Sequence, residues 1–202
     1  MPEAYCFRCG RELSNYARVG IGCGHCHDQE FDFEQIACVG VYRDLVRDMI
    51  LKFKFSDKTA LAGPLSEFVC MAFDQLSSAR EVDYLVPVPL HWRRRWTRGY
   101  NQAALIAGNI ARGPVKVNSD LVRVRNTAAQ AKLSQAGRKK NVKDAFAVRR
   151  GHEFNGKTVC LVDDIKTSGA TLNECARVLK IAGAEKVFAL VIAVAGQGGD
   201  NV

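Results

Sequence analysis

The sequence lacks the segments that mark membrane proteins and low-complexity proteins. Its longest uninterrupted apolar run, residues 187–195, is far shorter than the roughly 20 residues of a transmembrane helix. No low-complexity segment occurs, and no signal peptide precedes the first cysteine. With 202 residues, of which 48% are hydrophobic and 25% charged, the chain can bury one good core and a small appendage. We therefore expect a soluble, cytoplasmic protein without membrane insertion.

Two C-x-x-C pairs lie near the N-terminus. Cys6 and Cys9 form the first pair, Cys23 and Cys26 form the second, and 13 residues separate them. Two such knuckles can place four thiolates around one Zn²⁺ ion. Because about 30 residues are too few to build an apolar core, a structural metal would have to hold this segment together. The spacing therefore predicts a zinc ribbon over residues 1–30 with these four cysteines as ligands.

Other uses of these cysteines fit the sequence less well. Disulfides would need an oxidising compartment, and a thioredoxin-like redox site would need one pair in a βαβ setting. His25 and His27 could each replace a cysteine as a metal ligand, but four thiolates already complete the site, so we expect both rings to face solvent. The remaining cysteines have no paired spacing and are expected to be small core residues: Cys38, Cys70, Cys160 and Cys175.

A strand, two carboxylates, a loop of small residues and a new helix follow one another in the C-terminal part of the chain. Residues 157–162 are rich in apolar and β-branched side chains, and apolar residues recur at helical spacing from Leu172 until Gly183. Free backbone N–H groups and the helix dipole bind phosphate at such a turn, while Asp163 and Asp164 suit the vicinal hydroxyls of a ribose. The residues expected to hold the phosphate are Thr167, Ser168, Gly169, Ala170 and Thr171.

The run 162–171 closely resembles the phosphoribosyl-pyrophosphate (PRPP) signature of type I phosphoribosyltransferases, in which two acidic residues hold the ribose hydroxyls and the following loop holds the 5-phosphate. Its glycine spacing fits neither a Walker loop nor a dinucleotide fingerprint, which disfavours an ordinary nucleoside triphosphatase. The structural alternative is a strand-to-helix turn capped by Asp or Thr. Lys166 departs from the signature, where an apolar residue is usual, and this bears on local packing. We expect Lys166→Leu to be tolerated.

The net charge of +8 is concentrated in clusters, one of which is interleaved with aromatic residues. That cluster consists of Trp92, Arg93, Arg94, Arg95, Trp96 and Arg98. Basic residues beside aromatic rings suit single-stranded DNA, which is held by phosphate attraction and base stacking. A pocket for pyrophosphate would need exposed arginines as well. Both interpretations stay open for this segment.

Strands and helices alternate through the rest of the chain. This alternation predicts an α/β protein with a mostly parallel sheet that binds its ligand at the carboxyl ends of the strands. A helix is expected over 101–112, and the polar, basic segment 126–149 between two strands is long enough to act as a lid. The predicted strands are 84–88, 121–124, 157–162 and 187–194.

Several separated motifs together resemble the ComF family of bacterial competence proteins, and they run in order through nearly the whole chain. Besides the cysteine ribbon and 162–171, they are 51–56 (LKFKFS), 86–90 (VPVPL) and 98–103 (RGYNQA). A middle block at the family's spacing consists of Arg125, Thr127, Gln130, Leu133, Arg138, Asn141, Val142, Ala145 and Phe146.

The ComF resemblance implies a type I phosphoribosyltransferase-like domain over residues 31–202, behind the zinc ribbon of residues 1–30, with a flexible hood at about 126–149. It further implies that PRPP binds with Mg²⁺, that Asp163 and Asp164 are the catalytic residues, and that the loop after them holds the ribose phosphate. The segment after Pro89 corresponds to the pyrophosphate loop, whose basic residues are Arg93, Arg94, Arg95 and Arg98.

The same resemblance implies a role in natural transformation, or in the uptake and use of DNA, with a helicase-like competence partner. Two function classes follow from the residues. The first is an enzyme that transfers phosphoribosyl to an acceptor which the sequence does not name. The second is a single-stranded DNA-binding module, using Trp92, Trp96 and the arginines between them, whose PRPP pocket is regulatory or vestigial.

Overall fold

The protein is an α/β structure built on a parallel sheet, as the sequence predicts. The computed structural model describes residues 5–13, 18–19, 22–55, 61–92, 96, 99–128 and 133–195. The described strands are β1 (Arg18–Val19), β2 (Gly22–Cys23), β3 (Ile36–Val41), β4 (Tyr84–Pro87), β5 (Lys116–Val117), β6 (Leu121–Arg123), β7 (Phe146–Val148), β8 (Thr158–Lys166) and β9 (Lys186–Val194). Five of these strands pair in parallel in the order β3-β9-β8-β4-β5.

Helices cover both faces of this sheet. The described α-helices are α1 (Asp44–Phe55), α2 (Ala62–Phe73), α3 (Gln102–Ile110), α4 (Gln135–Val142) and α5 (Ala170–Ile181). On one face, residues of α1, α2 and α3 such as Phe53, Leu65 and Ile106 share a buried cluster with the sheet. On the other face, Leu172 and Leu179 of α5 pack on the sheet in a second cluster. None of these helices combines the length and apolar character needed to cross a bilayer.

The sheet is buried on both sides, and this explains the composition of its central strands. Every residue of β9 after Lys186 is buried, and its sequence is an apolar run rather than an alternating pattern. Parallel sheets with helices on both faces require such runs, because neither side of the strand meets water. The buried polar backbone of β9 is paired with β3 on one side and β8 on the other.

One predicted strand lies outside the parallel sheet. Residues 121–123 form β6, which pairs antiparallel with β7 and makes a separate hairpin. The strand beside β4 at this edge of the parallel sheet is the two-residue β5. At the other edge lies β3, which our sequence analysis did not identify as a strand. The local pattern of a short strand gives its propensity to extend but not its partner.

The segment expected to be a hood follows β6. It includes α4 and ends with β7, although residues 129–132 lie outside the described part. Its apolar residues Val142 and Phe146 join the buried cluster beneath α5. The hood therefore rests on the same face of the sheet as α5.

The cysteine-rich segment packs directly against the sheet. The carbonyl of Phe7 accepts a hydrogen bond from the N–H of Ile36 at 2.7 Å, at the start of β3. Gly10 has a φ of 75°, and a Cβ there would lie 2.8 Å from Cγ2 of Val194 at the end of β9. Only glycine satisfies both the left-handed backbone and this close approach. The boundary at residues 30/31 remains a prediction, but the two parts share an extensive contact.

Glu174 fastens the hood to α5. Its Oε1 accepts hydrogen bonds from the Asp144 N–H at 2.8 Å and from Nη2 of Arg177 at 2.6 Å, and Asp144 has a positive φ of 54°. Burial raises the pKa of the Glu174 carboxyl, but these hydrogen bonds outweigh it and hold the pKa below its usual range. A lowered folded-state pKa stabilises the protein above the unfolded-state pKa, and this contribution is lost as the pH falls through the folded-state value.

We predict that Glu174→Ala lowers the free energy of unfolding by about 1.5 to 3 kcal/mol at neutral pH, because it removes charged hydrogen bonds from a partly buried position. The matched control is Glu34→Ala, which removes a more exposed ion pair with Lys180 and should cost about 1 kcal/mol or less. Urea denaturation of both variants measures the difference. Equal destabilisation would show that the Glu174 contacts do not hold the hood.

Candidate phosphoribosyl site and four-cysteine cluster

The four N-terminal cysteines converge on one point. Their sulfur atoms all lie within 4.8 Å of one another, and the Cys6–Cys26, Cys9–Cys23 and Cys23–Cys26 pairs are each 3.7 Å apart. Four thiolates at a Zn–S distance of about 2.3 Å in a tetrahedron are separated by roughly 3.8 Å. The donor set and its spacing therefore fit a structural metal ion such as Zn²⁺.

The two nearby histidines and three of the other four cysteines lie as the sequence predicts. His25 and His27 are exposed and lie outside the group of converging ligands. Cys38, Cys160 and Cys175 are buried. Cys70 is only half-buried, and its Sγ accepts a hydrogen bond from Arg112. None of these four belongs to the converging group.

Two consecutive carboxylates stand near the carboxyl end of β8. Asp163 accepts a hydrogen bond from the N–H of Asp164 at 2.9 Å. Asp164 forms an ion pair with Nζ of Lys54 at 3.0 Å, and the two side chains are 16% and 15% exposed. Lys54 belongs to the last turns of α1, so the pair joins elements far apart in sequence. Our sequence analysis noted Lys54 within the motif 51–56 but gave it no role in the site.

The environment of Asp163 opposes its ionisation. Burial raises the pKa of this carboxyl to about 7, and the neighbouring charge of Asp164 acts in the same direction. The N–H of Asp164 and the cations Lys54 and Arg123 act in the opposite direction. Arg123 comes from β6, stacks over the ring of Phe146 with its guanidinium 5.3 Å from the centroid, and donates a hydrogen bond to Thr127. A carboxylate in this environment is stabilised by a nearby cation or hydroxyl donor.

The loop after β8 turns sharply into α5. Gly169 has a φ of 80° and precedes the first residue of the helix, while the Ser168 hydroxyl oxygen accepts a hydrogen bond from the N–H of Ala170 at 3.4 Å. Thr167 and Thr171 line the same cavity of about 180 Å³ as the two carboxylates. The other three loop residues line a neighbouring cavity of about 390 Å³ instead, between α5, the hood and residues 29–31.

Lys166 lies beneath this loop. It is only 8% exposed, and a Cβ at Gly169 would lie 3.0 Å from its Cε. Burial lowers the pKa of the Lys166 ammonium group. The side chain therefore fills the position at which the signature usually has an apolar residue. Its Cε lies close to position 169, where the positive φ of 80° favours glycine.

The opposite wall of the cavity follows β4, the strand next to β8. Asn101 caps α3 there: its Oδ1 accepts from the Ala103 N–H at 3.1 Å, and its Nδ2 donates to the Val88 carbonyl at 3.1 Å. Gln102, the first residue of α3, also lines the cavity and is 2% exposed. Neither amide was among our candidate site residues. The pairing of β4 with β8 brings them to the carboxylates, and no local sequence pattern indicates this.

The basic and aromatic cluster is only partly described. Arg93, Arg94, Arg95 and Arg98 lie outside the described residues. Trp92 and Trp96 are 58% and 83% exposed. Trp92 lines a cavity of about 480 Å³ that adjoins the carboxylate cavity, since both are lined by Pro89, Leu90, Asn101 and Arg123.

Comparison with known proteins places this geometry in a family. Residues 101–202 match the phosphoribosyl transferase domain family. Competence protein F of Haemophilus influenzae is 33% identical over 189 residues, which cover 91% of this chain and 81% of that protein. DNA utilization protein YhgH of Escherichia coli K12 is 31% identical over 192 residues, covering 92% of this chain and 82% of that protein.

Solved structures show only a distant likeness. A purine phosphoribosyltransferase from Pyrococcus horikoshii superimposes with a TM-score of 0.39 and 14% identity, covering 64% of this chain and 73% of that chain. The assignment rests instead on the sequence matches, which cover residues 101–202 with the family model and 91% of the chain with competence protein F. The chain therefore belongs to the ComF family and carries a phosphoribosyl transferase domain.

Proposed function

We propose that this protein binds PRPP together with Mg²⁺ at the cavity between the ends of β4 and β8. The observation that carries the proposal is the convergence of Asp163, Asp164, Thr167 and Thr171 on one cavity within a phosphoribosyl transferase domain. The 5-phosphate rests on the backbone N–H groups of residues 167–171 and on the start of the α5 dipole. The two carboxylates accept hydrogen bonds from the ribose hydroxyls.

Ligand binding in this arrangement exchanges one partner of Asp164 for another. In the described structure its carboxylate is paired with Lys54 at 3.0 Å. A ribose hydroxyl or Mg²⁺ takes over part of that role, and Lys54 becomes available for the negative charge of the ligand. Carboxylate oxygens are ligands that Mg²⁺ prefers, so the Asp163–Asp164 pair fits the ion.

A phosphoribosyltransferase reaction at this site is the further step of the proposal. It forms a bond from an acceptor nucleophile to the anomeric carbon and breaks the bond from that carbon to a pyrophosphate oxygen, which leaves with the electron pair, through an oxocarbenium-like transition state as in glycoside chemistry. Bound Mg²⁺ would supply neutralising charge for the leaving pyrophosphate. Arg93, Arg94, Arg95 and Arg98 are candidates to hold that group, and closure of the hood (126–149) would exclude water.

The biological setting of the proposal comes from the relatives. Two of them are named competence protein F and DNA utilization protein YhgH. We propose by extension that this chain acts in the cytoplasm in DNA uptake and use, with a helicase-like competence partner.

We predict that Asp164→Asn and Thr171→Ala each weaken the binding of Mg²⁺·PRPP by roughly tenfold to a hundredfold, because one hydrogen bond to a charged group contributes about 1.5 to 3 kcal/mol. Isothermal titration calorimetry measures the affinity. Asp83→Asn is the matched control, since Asp83 accepts a hydrogen bond from the Thr158 N–H at the opposite end of β8. Unchanged affinity in both site variants would place the ligand elsewhere.

We also propose that the metal in the four-cysteine cluster is Zn²⁺ and that its role is structural. The purified protein should hold one Zn²⁺ per chain, and Cys9→Ser should release it and unfold the ribbon, since structural zinc supplies about 10 kcal/mol or more to such small units. Metal analysis by mass spectrometry tests this, with Cys70→Ser as the control. Substoichiometric zinc in protein prepared under reducing, zinc-replete conditions would contradict it.

A second candidate function is binding of single-stranded DNA next to the PRPP cavity. The observation that favours it is the exposure of Trp92 and Trp96, 58% and 83%, within an arginine-rich segment of a chain with net charge +8. Bases can stack on such rings without sequence preference, and arginines attract the phosphates. Both functions can share the segment, because pyrophosphate and DNA are both polyanions.

We predict that Trp96→Ala weakens single-stranded DNA binding by about 1 to 3 kcal/mol without changing its dependence on salt. The Arg94→Ala/Arg95→Ala double variant should instead reduce the salt slope, because fewer counterions are released. Fluorescence anisotropy over a salt series measures both quantities. Phe68→Ala, at an exposed aromatic residue of α2, is the control. Negligible DNA binding by the wild-type protein at physiological salt would assign the arginines to pyrophosphate alone.

A further inference from the structure

Gln102 has a buried hydrogen-bond donor without a partner. The residue is 2% exposed, and its Nε2 makes no hydrogen bond within the part of the chain that the structure describes. Burying an amide N–H₂ group without a partner costs free energy, and native proteins rarely keep such a group without a reason. A methionine or leucine would fill the same space at lower cost.

The neighbouring amide shows that the local fold does not need this donor. Asn101 uses both ends of its side chain, one to cap α3 through the Ala103 N–H and one to hold the Val88 carbonyl. The helix start and its connection to β4 are therefore secured without Gln102. What distinguishes Gln102 is its place on the wall of the cavity that also contains Asp163 and Asp164.

The position of Gln102 indicates which half of PRPP its side chain can contact. The 5-phosphate loop follows β8 and leads into α5, whereas Gln102 follows β4, on the opposite wall. In PRPP the pyrophosphate on C1 and the phosphate on C5 leave the ribose ring on opposite sides of its oxygen. With the ribose hydroxyls at the two carboxylates and the 5-phosphate at Thr167 and Thr171, the pyrophosphate reaches toward the wall formed by α3.

We infer that Gln102 is a ligand-binding residue whose Nε2 donates a hydrogen bond to a pyrophosphate oxygen of PRPP. The inference rests on the proposed function and assigns a pyrophosphate contact to a residue of the motif 98–103. A neutral amide suits this place, because it recognises oxygen without adding a further cation beside Lys54 and Arg123. The ligand then satisfies the donor that the protein leaves unpaired.

The test is calorimetric titration of wild-type protein and Gln102→Met with Mg²⁺·PRPP, inorganic pyrophosphate and ribose 5-phosphate. Methionine keeps the length of the side chain and removes the amide. We expect PRPP affinity to fall by about tenfold or more. Pyrophosphate affinity should fall with it, and ribose 5-phosphate affinity should stay unchanged. The melting temperature should stay the same or rise, because an unpaired buried donor is removed.

Gln102→Glu is the second variant, since it preserves the shape and places a carboxylate against the pyrophosphate. It should weaken PRPP binding more than Gln102→Met does. If the wild-type protein binds PRPP and a folded Gln102 variant binds it with the same affinity, this inference is overturned. The proposed function is then unaffected. An equal loss for PRPP and ribose 5-phosphate would overturn the assignment to pyrophosphate. A wild-type protein that binds no PRPP would overturn both proposals.

Discussion

The negative charge of two consecutive carboxylates at the end of β8 has to be compensated by the surrounding structure. Burial of Asp163 and the neighbouring charge of Asp164 oppose the ionisation of Asp163 and raise its pKa. Cations from distant parts of the chain offset this cost: Lys54 from the end of α1 and Arg123 from β6. The core packing of α1 and the antiparallel pairing of β6 with β7 therefore also serve to hold charge beside the site. A ligand that brings hydroxyl donors or a bound cation would stabilise such a pair further, and this supports the proposed ribose site.

The parallel sheet places the two carboxylates in a cavity between the loops that follow two neighbouring strands. β4 and β8 are adjacent, so the loops that follow them face each other across their carboxyl ends. The four-cysteine segment packs against the carboxyl ends of β8 and β9. Gly10 contacts Val194, and Val194 pairs with Lys166 in the sheet. Lys166 in turn lies beneath Gly169. The four-cysteine cluster and the loop after β8 thus lie against the ends of the same two strands.

The sequence was sufficient for features encoded within a few residues. The two C-x-x-C pairs, the carboxylates and the loop up to Thr171 could be located because their spacing itself carries the chemistry. Lys54 and Gln102 could not be assigned, since only long-range packing brings α1 and α3 to the end of β8. The same reason explains why β6 was expected in the parallel sheet: a strand's partner is chosen by the whole fold. Lys166 looked like an irregularity in the signature, and its burial under the loop accounts for it.

The proposed function depends most on ribose-phosphate binding at the end of β8. A crystal structure of the protein grown with Mg²⁺ and PRPP tests this directly. We expect the 5-phosphate on the backbone of residues 167–171 and the ribose hydroxyls within hydrogen-bond distance of Asp163 and Asp164. PRPP bound only among the arginines at 93–98, with the two carboxylates still facing Lys54 and no ligand, would contradict it.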